Sequence, residues 1–209
     1  LQGVMGKYFA IEQGFAEDIC QAISDHYLPV SVNGQVPKRP ISIAVALIDK
    51  IDVLVGFFGI NEKPSSSKDP YALRRNAIGL LRIITENKLK VQLKDLINYS
   101  TIVYKEQNVK FANDSVVSDV LVFLKERFKN LLKEKKIRND IIEAATNTYM
   151  GDEFLSLYDK CLVMNKNFSS NIGKQVVSIY KRVSNIVNQE SAQNNQKIEG
   201  RPNSVLFKK

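Results

Sequence analysis

Apolar residues recur along this chain at three- and four-residue spacing, and strict alternation of apolar and polar positions is scarce. The pattern predicts helices over 1–13 and 15–28 on either side of Gly14, then 40–58, 70–86, 91–105, 114–135, 139–149, 152–165 and 169–189. The clearest is 114–135. There Val117, Val120, Leu121, Leu124, Phe128, Leu131 and Leu132 share one face, and Asp114 is the predicted N-cap. Pro, Gly and polar residues mark 29–40 and 59–69 as loops. The β-branched runs, such as Thr101-Ile102-Val103, are short and lie inside helix-compatible patterns. The expected fold class is all-α, with a short β-ribbon left open.

Polar, breaker-rich stretches at 87–94 and 107–114 predict a boundary near 88–112. The expected order is a helical domain over 1–90, a linker or connecting helix over 91–113, a second helical region over 114–190, and a loop or tail over 191–209. No internal repeat is visible. At 209 residues and 44% hydrophobic content the chain can bury a sizeable core. Its longest apolar stretch, 41–60, is interrupted by Asp49, Lys50 and Asp52, so no membrane span is expected. The chain opens at Leu1 in a helical pattern without an initiator Met, and a piece of a longer protein is expected. Cys20 and Cys161 stand far apart with no motif around them. That points to a reducing, cytoplasmic setting, without a disulfide scaffold or a Cys-rich zinc site.

Charge changes the picture. The net charge is +8 and the sequence pI about 9.4, which favours an anionic partner, nucleic acid first. Residues 1–95 hold 12 basic and 10 acidic side chains, residues 96–209 hold 18 and 12, so the attraction is weighted to the second half. The run LKERFKNLLKEKKIR, from Leu124 to Arg138, carries seven basic and two acidic residues. It fits a solvated face with intrahelical ion pairs, or a phosphate-binding face. A second cluster, YKRVSNI, brings Lys181 and Arg182 together with Asn185, whose amide suits a base edge; Tyr180 or Phe168 could stack on a splayed base.

The stretch SSSKDPYALRRNAIGLLRII, from Ser65 to Ile84, poses a sharper question. Asp69 is a predicted N-cap and Pro70 suits the first helical position. The helix then carries Arg74, Arg75 and Arg82 on an apolar frame, and these cations need carboxylates or external phosphates. Asp49 and Asp52, three apart on the preceding helix, share a face and are the expected partners in an inter-helix ion pair. His26, the single histidine, reads as a surface or packing residue; the sharper reading pairs it with Asp49 at a metal. No Gly-rich phosphate loop, paired-Cys motif or nucleophile elbow occurs, and no catalytic residue is assigned.

Several of these segments are familiar together. LQGVMGKYFA at the start, AISDHYLP from Ala22, ALIDKIDVLVGFFGI from Ala46, SKDPYALRRNAIGLLRII from Ser67 and YKRVSNI from Tyr180 resemble the β subunits of bacterial two-subunit glycyl-tRNA synthetases. The resemblance covers most of the chain and implies a C-terminal part of such a subunit. It implies an HD-like helical domain over the first 90 residues, followed by a helical anticodon-binding-type region. It further implies a part in attaching glycine to tRNA(Gly) within an α2β2 glycine–tRNA ligase. Glycine activation, with ATP and Mg, would take place in the α subunit, so this piece alone is expected to be inactive and to hold no cofactor. HD hydrolases hold a metal through His and Asp, including a His-Asp dipeptide; this sequence has none, and no metal ligand is assigned. The partners implied are the α subunit and tRNA(Gly). Chemistry and motif position together select Lys68, Arg74, Arg75, Arg82, Lys181, Arg182 and Asn185 as tRNA-binding residues. The competing readings are an HD-type metal-dependent phosphohydrolase and a non-catalytic helical interaction module.

Overall fold

A computed structural model describes residues 3–31, 33–65, 68–149 and 151–194. The tail expected over 191–209 lies mostly outside them. The described residues form nine α-helices and no strand: α1 (Val4–Glu12), α2 (Glu17–Asp25), α3 (Pro40–Gly59), α4 (Leu73–Glu86), α5 (Leu93–Glu106), α6 (Val116–Glu134), α7 (Asn139–Thr148), α8 (Phe154–Ser169) and α9 (Asn171–Asn194). The all-α expectation holds, and the β-ribbon left open does not form among these residues.

Contacts divide the chain into a unit ending at Leu162 and one beginning at Val163. In the first unit α4 packs on α3 and α6, and α3 also meets α5 and α6. Helices from both sides of the 91–113 stretch therefore share one core. Leu54 of α3, Leu80, Leu81, Ile83 and Ile84 of α4, and Leu124 and Phe128 of α6 are fully buried. Each such side chain contributes roughly 1.5–3 kcal/mol by leaving water. The Phe128 ring meets Phe154 of α8 edge-on, with centroids 5.1 Å apart.

The 107–114 stretch is fastened to the end of α3. Gly59 O accepts from Ala112 N at 2.8 Å and Asn113 N at 3.1 Å, and Asn113 Nδ2 donates to Phe58 O at 3.2 Å. The Phe111 ring lies where a Cβ on residue 59 would be, so glycine is required there for the ring to seat. Nearby, Tyr104 Oη donates to Asp52 O at 3.3 Å. Burial first, and the neighbouring Asp52 charge second, push that phenol up to about 12.

Two expected caps are corrected. Pro70 does not open α4. It sits in a turn closed by Ala72 N donating to Asp69 O at 3.2 Å, and Ala72 adopts the left-handed conformation (φ 53°) before the helix starts at Leu73. Asp69 still serves the first turn: its carboxylate accepts from Leu73 N at 2.8 Å and Arg74 N at 3.0 Å. The left-handed residue folds the chain back so that a carboxylate one turn upstream reaches those amides. Asp114 does not cap α6 either. Ser115 is the N-cap residue, and Asn113 Oδ1 shapes the entry by accepting from Ser115 N at 2.9 Å.

Candidate nucleic-acid interface

The structure sorts the selected cations into those held within the fold and those left to solvent. Arg82 is buried. Its Nε donates to Glu86 Oε1 at 2.7 Å, one Nη to Gly34 O at 2.7 Å and the other to Ser31 O at 3.4 Å. The guanidinium thus ties Ser31 and Gly34 to α4. At the other end of the helix, Lys68 and Arg75 are exposed, and neither is ion-paired among the described residues. Half-buried Arg74 donates to Ser65 O. The start of α4 therefore gathers Lys68, Arg74 and Arg75, while Arg82 lies inside.

The expected ion pair between Asp49 or Asp52 and these arginines is not formed among the described residues. Asp49 lies 4.0 Å from Lys50, and Asp52 is exposed. Water reaches both carboxylates, so neither carries the desolvation cost that would demand an arginine. The buried cation on that helix is Lys50 instead. Its Nζ donates to His26 O at 3.0 Å, and burial lowers its pKa, an effect the Asp49 charge opposes.

His26, Asp49 and Asp52 do line one cavity of about 590 Å³ between α2 and α3, with an apolar wall that includes Ile19, Ile41 and Ile48. His26 Nδ1 lies 2.8 Å from Ile23 O, which fixes that nitrogen as a donor. No three His, Cys, Asp or Glu side chains converge as a metal-ligand set among the described residues. The donor set there does not fit a metal centre.

The second unit presents the other selected residues. Lys181, Arg182 and Asn185 are all exposed on α9, and Lys181 and Asn185 share a face at i,i+4 spacing. Tyr180 is 72% exposed. Neither Lys181 nor Arg182 is ion-paired among the described residues.

Two of the seven cations in the basic run over 124–138, Lys129 and Arg138, are ion-paired among the described residues. Lys129 Nζ lies 3.1 Å from Glu143 and 3.8 Å from Glu126, and Arg138 pairs with Asp140 at 2.6 Å. Arg127 differs: its guanidinium lies over the Phe123 ring, 5.4 Å from the centroid. It lines a cavity of about 360 Å³ with Lys63 and Arg74. A larger cleft of about 680 Å³ runs between α5 and the entry to α6, edged by Asn98, Lys105, Asn108 and Lys110. Sequence reasoning missed both features. The basic run contained Arg127, but its meeting with Arg74 is set by the packing of α6 on α4.

The model of the family described as the glycyl-tRNA synthetase beta subunit matches residues 1–147. The chain belongs to that family. It is 39% identical, over 210 residues, to the glycine–tRNA ligase beta subunit of Rickettsia canadensis, covering 99% of the chain and 29% of that relative. The beta subunit of Rhodospirillum centenum is 37% identical over 187 residues, 90% of the chain and 26% of the relative. That of Rickettsia typhi is 38% identical over 207 residues. The chain thus spans little more than a quarter of the length of these relatives. Among the described residues no helix is long and apolar enough to cross a membrane.

Proposed function

We propose that this chain is a tRNA-contacting part of a glycine–tRNA ligase β subunit, acting in the cytoplasm to support attachment of glycine to tRNA(Gly). In this reading the complete enzyme is an α2β2 assembly, glycine activation with ATP and Mg belongs to the α subunit, and the present piece alone is inactive. The HD-like domain and the anticodon-binding-type region are part of the same reading. The observation that carries it is a set of exposed cations, Lys68, Arg75, Lys181 and Arg182, with no carboxylate partner among the described residues of a family member of net charge +8. Cations that fold stability does not use are available to phosphates.

The test is binding of tRNA(Gly) and a non-cognate tRNA across a salt series. The expected result is affinity for tRNA(Gly) that falls steeply with salt, and a preference over the non-cognate tRNA. Equally negligible binding of both would sink the proposal for this piece. The Lys181→Glu/Arg182→Glu double variant is expected to flatten the salt slope by about two contacts.

A further inference from the structure

Arg127 stands out among the cations of the first unit because it is half-buried and makes no ion pair among the described residues. Its Nε is buried and has no hydrogen-bond partner. A buried donor left unsatisfied costs about 1–3 kcal/mol, and fixed packing alone does not recover it. The Phe123 ring beneath the guanidinium holds its plane without accepting a hydrogen bond in the usual sense. The cavity that Arg127 lines is shared with Arg74, whose one described side-chain bond is to the backbone oxygen of Ser65. Of the two carboxylates in the wall, Asp119 is already engaged and Glu126 is exposed. Asp119 accepts from Lys63 Nζ at 2.7 Å and Asn113 Nδ2 at 2.9 Å, and these two bonds hold its carboxyl below the usual range. Glu126 lies 3.8 Å from Lys129 Nζ. Two arginines therefore face one cavity, and neither is ion-paired to the carboxylates in its wall.

We propose that Arg74 and Arg127 form a phosphate-binding site between the start of α4 and the middle of α6, with Phe58 and Phe123 as its apolar wall. The chemistry is that of an oxyanion with several acceptor oxygens shared between the Nη groups of the two guanidinium forks, a geometry lysine cannot supply. The cavity is large enough for a phosphate with part of the group that carries it. That the phosphate belongs to an RNA backbone rests on the function proposed above; the site's chemistry does not.

The direct test follows the Arg127 Nε–H resonance of the whole ¹⁵N-labelled chain during titration with inorganic phosphate, with chloride at matched ionic strength as control. The expected result is a saturable shift with phosphate and none with chloride. Arg74→Gln should weaken the apparent phosphate affinity about tenfold, the worth of one charge-assisted hydrogen bond. A resonance that stays put into the tens of millimolar phosphate, or that moves equally with chloride, overturns the site. A second arm separates the sources. Arg127→Lys keeps the charge and removes the planar guanidinium fork, and should lower tRNA affinity about tenfold with Tm unchanged. If wild type binds tRNA and Arg127→Lys binds it equally well, the RNA source falls while the proposed function stands. If wild type binds no tRNA but phosphate still shifts the resonance, the proposed function falls and the site is one for a small phosphorylated ligand.

Discussion

Helices α4 and α9 carry arginines in two of the most recognisable stretches of the chain, and they use them in opposite ways. Nine of the 14 residues of α4 are buried, Arg82 among them. Along α9 the apolar positions Ile172, Val176, Ile179, Val183 and Ile186 are exposed, and so are Lys181 and Arg182. In α4 a guanidinium replaces missing backbone contacts, gathering the carbonyls of a loop some 50 residues away. In α9 the same chemistry is left for something outside the described fold. A motif that marks the family need not mark the ligand, because a helix deep in the core is constrained from every side.

The comparison can be broken most sharply at Arg82. Arg82→Ala should destabilise the chain by about 3 kcal/mol, since it strips Glu86 of its ion pair, leaves Gly34 O without its donor and removes one of two donors to Ser31 O. Urea unfolding would read this, and a change under about 0.5 kcal/mol would place Arg82 with the surface cations. Next comes the Lys181→Glu/Arg182→Glu variant. It should cost roughly ten- to a hundredfold in tRNA affinity at low salt, while its unfolding midpoint stays at the wild-type value because neither residue supports packing. Asp69→Ala should cost about 1 kcal/mol by freeing the amides of Leu73 and Arg74. Thermal unfolding of that variant tests whether α4 depends on its cap or on burial alone.

The smallest effect concerns Lys50, which packs against α4 at Gly79. Burial lowers its pKa below the ordinary 10.5, so the folded chain binds fewer protons than the unfolded chain between the lowered value and 10.5. Stability from this group therefore rises with pH across that window. The penalty is full below the folded pKa and gone above 10.5. Unfolding midpoints of wild type and Lys50→Met, compared across alkaline pH, should shift in favour of wild type as pH increases.

Helical spacing made the architecture legible, from α3 opening at Pro40 to α6 and its one-sided face of Val120, Leu124 and Phe128. What the chain hid were relations fixed only by folding. Asp69 was readable as a cap, but not the left-handed Ala72 that lets it reach the helix from outside. The need of the arginines for partners was readable, but the partners were sought among the α3 carboxylates or external phosphates, not at Glu86 of the same helix. Backbone carbonyls are invisible to composition, and Arg82 found two of them at Ser31 and Gly34. Arg127 looked like one more cation in a solvated run until α6 met α4 and buried its Nε.

The ring of Phe111 resting on Gly59 has a consequence for how such chains can diverge. Residues 59 and 111 are a lock and its key, 52 positions apart. A side chain at 59 would evict the ring and release the segment that delivers the chain into α6. Relatives that gave up the glycine should therefore have given up the aromatic as well, the two positions changing as one inherited unit.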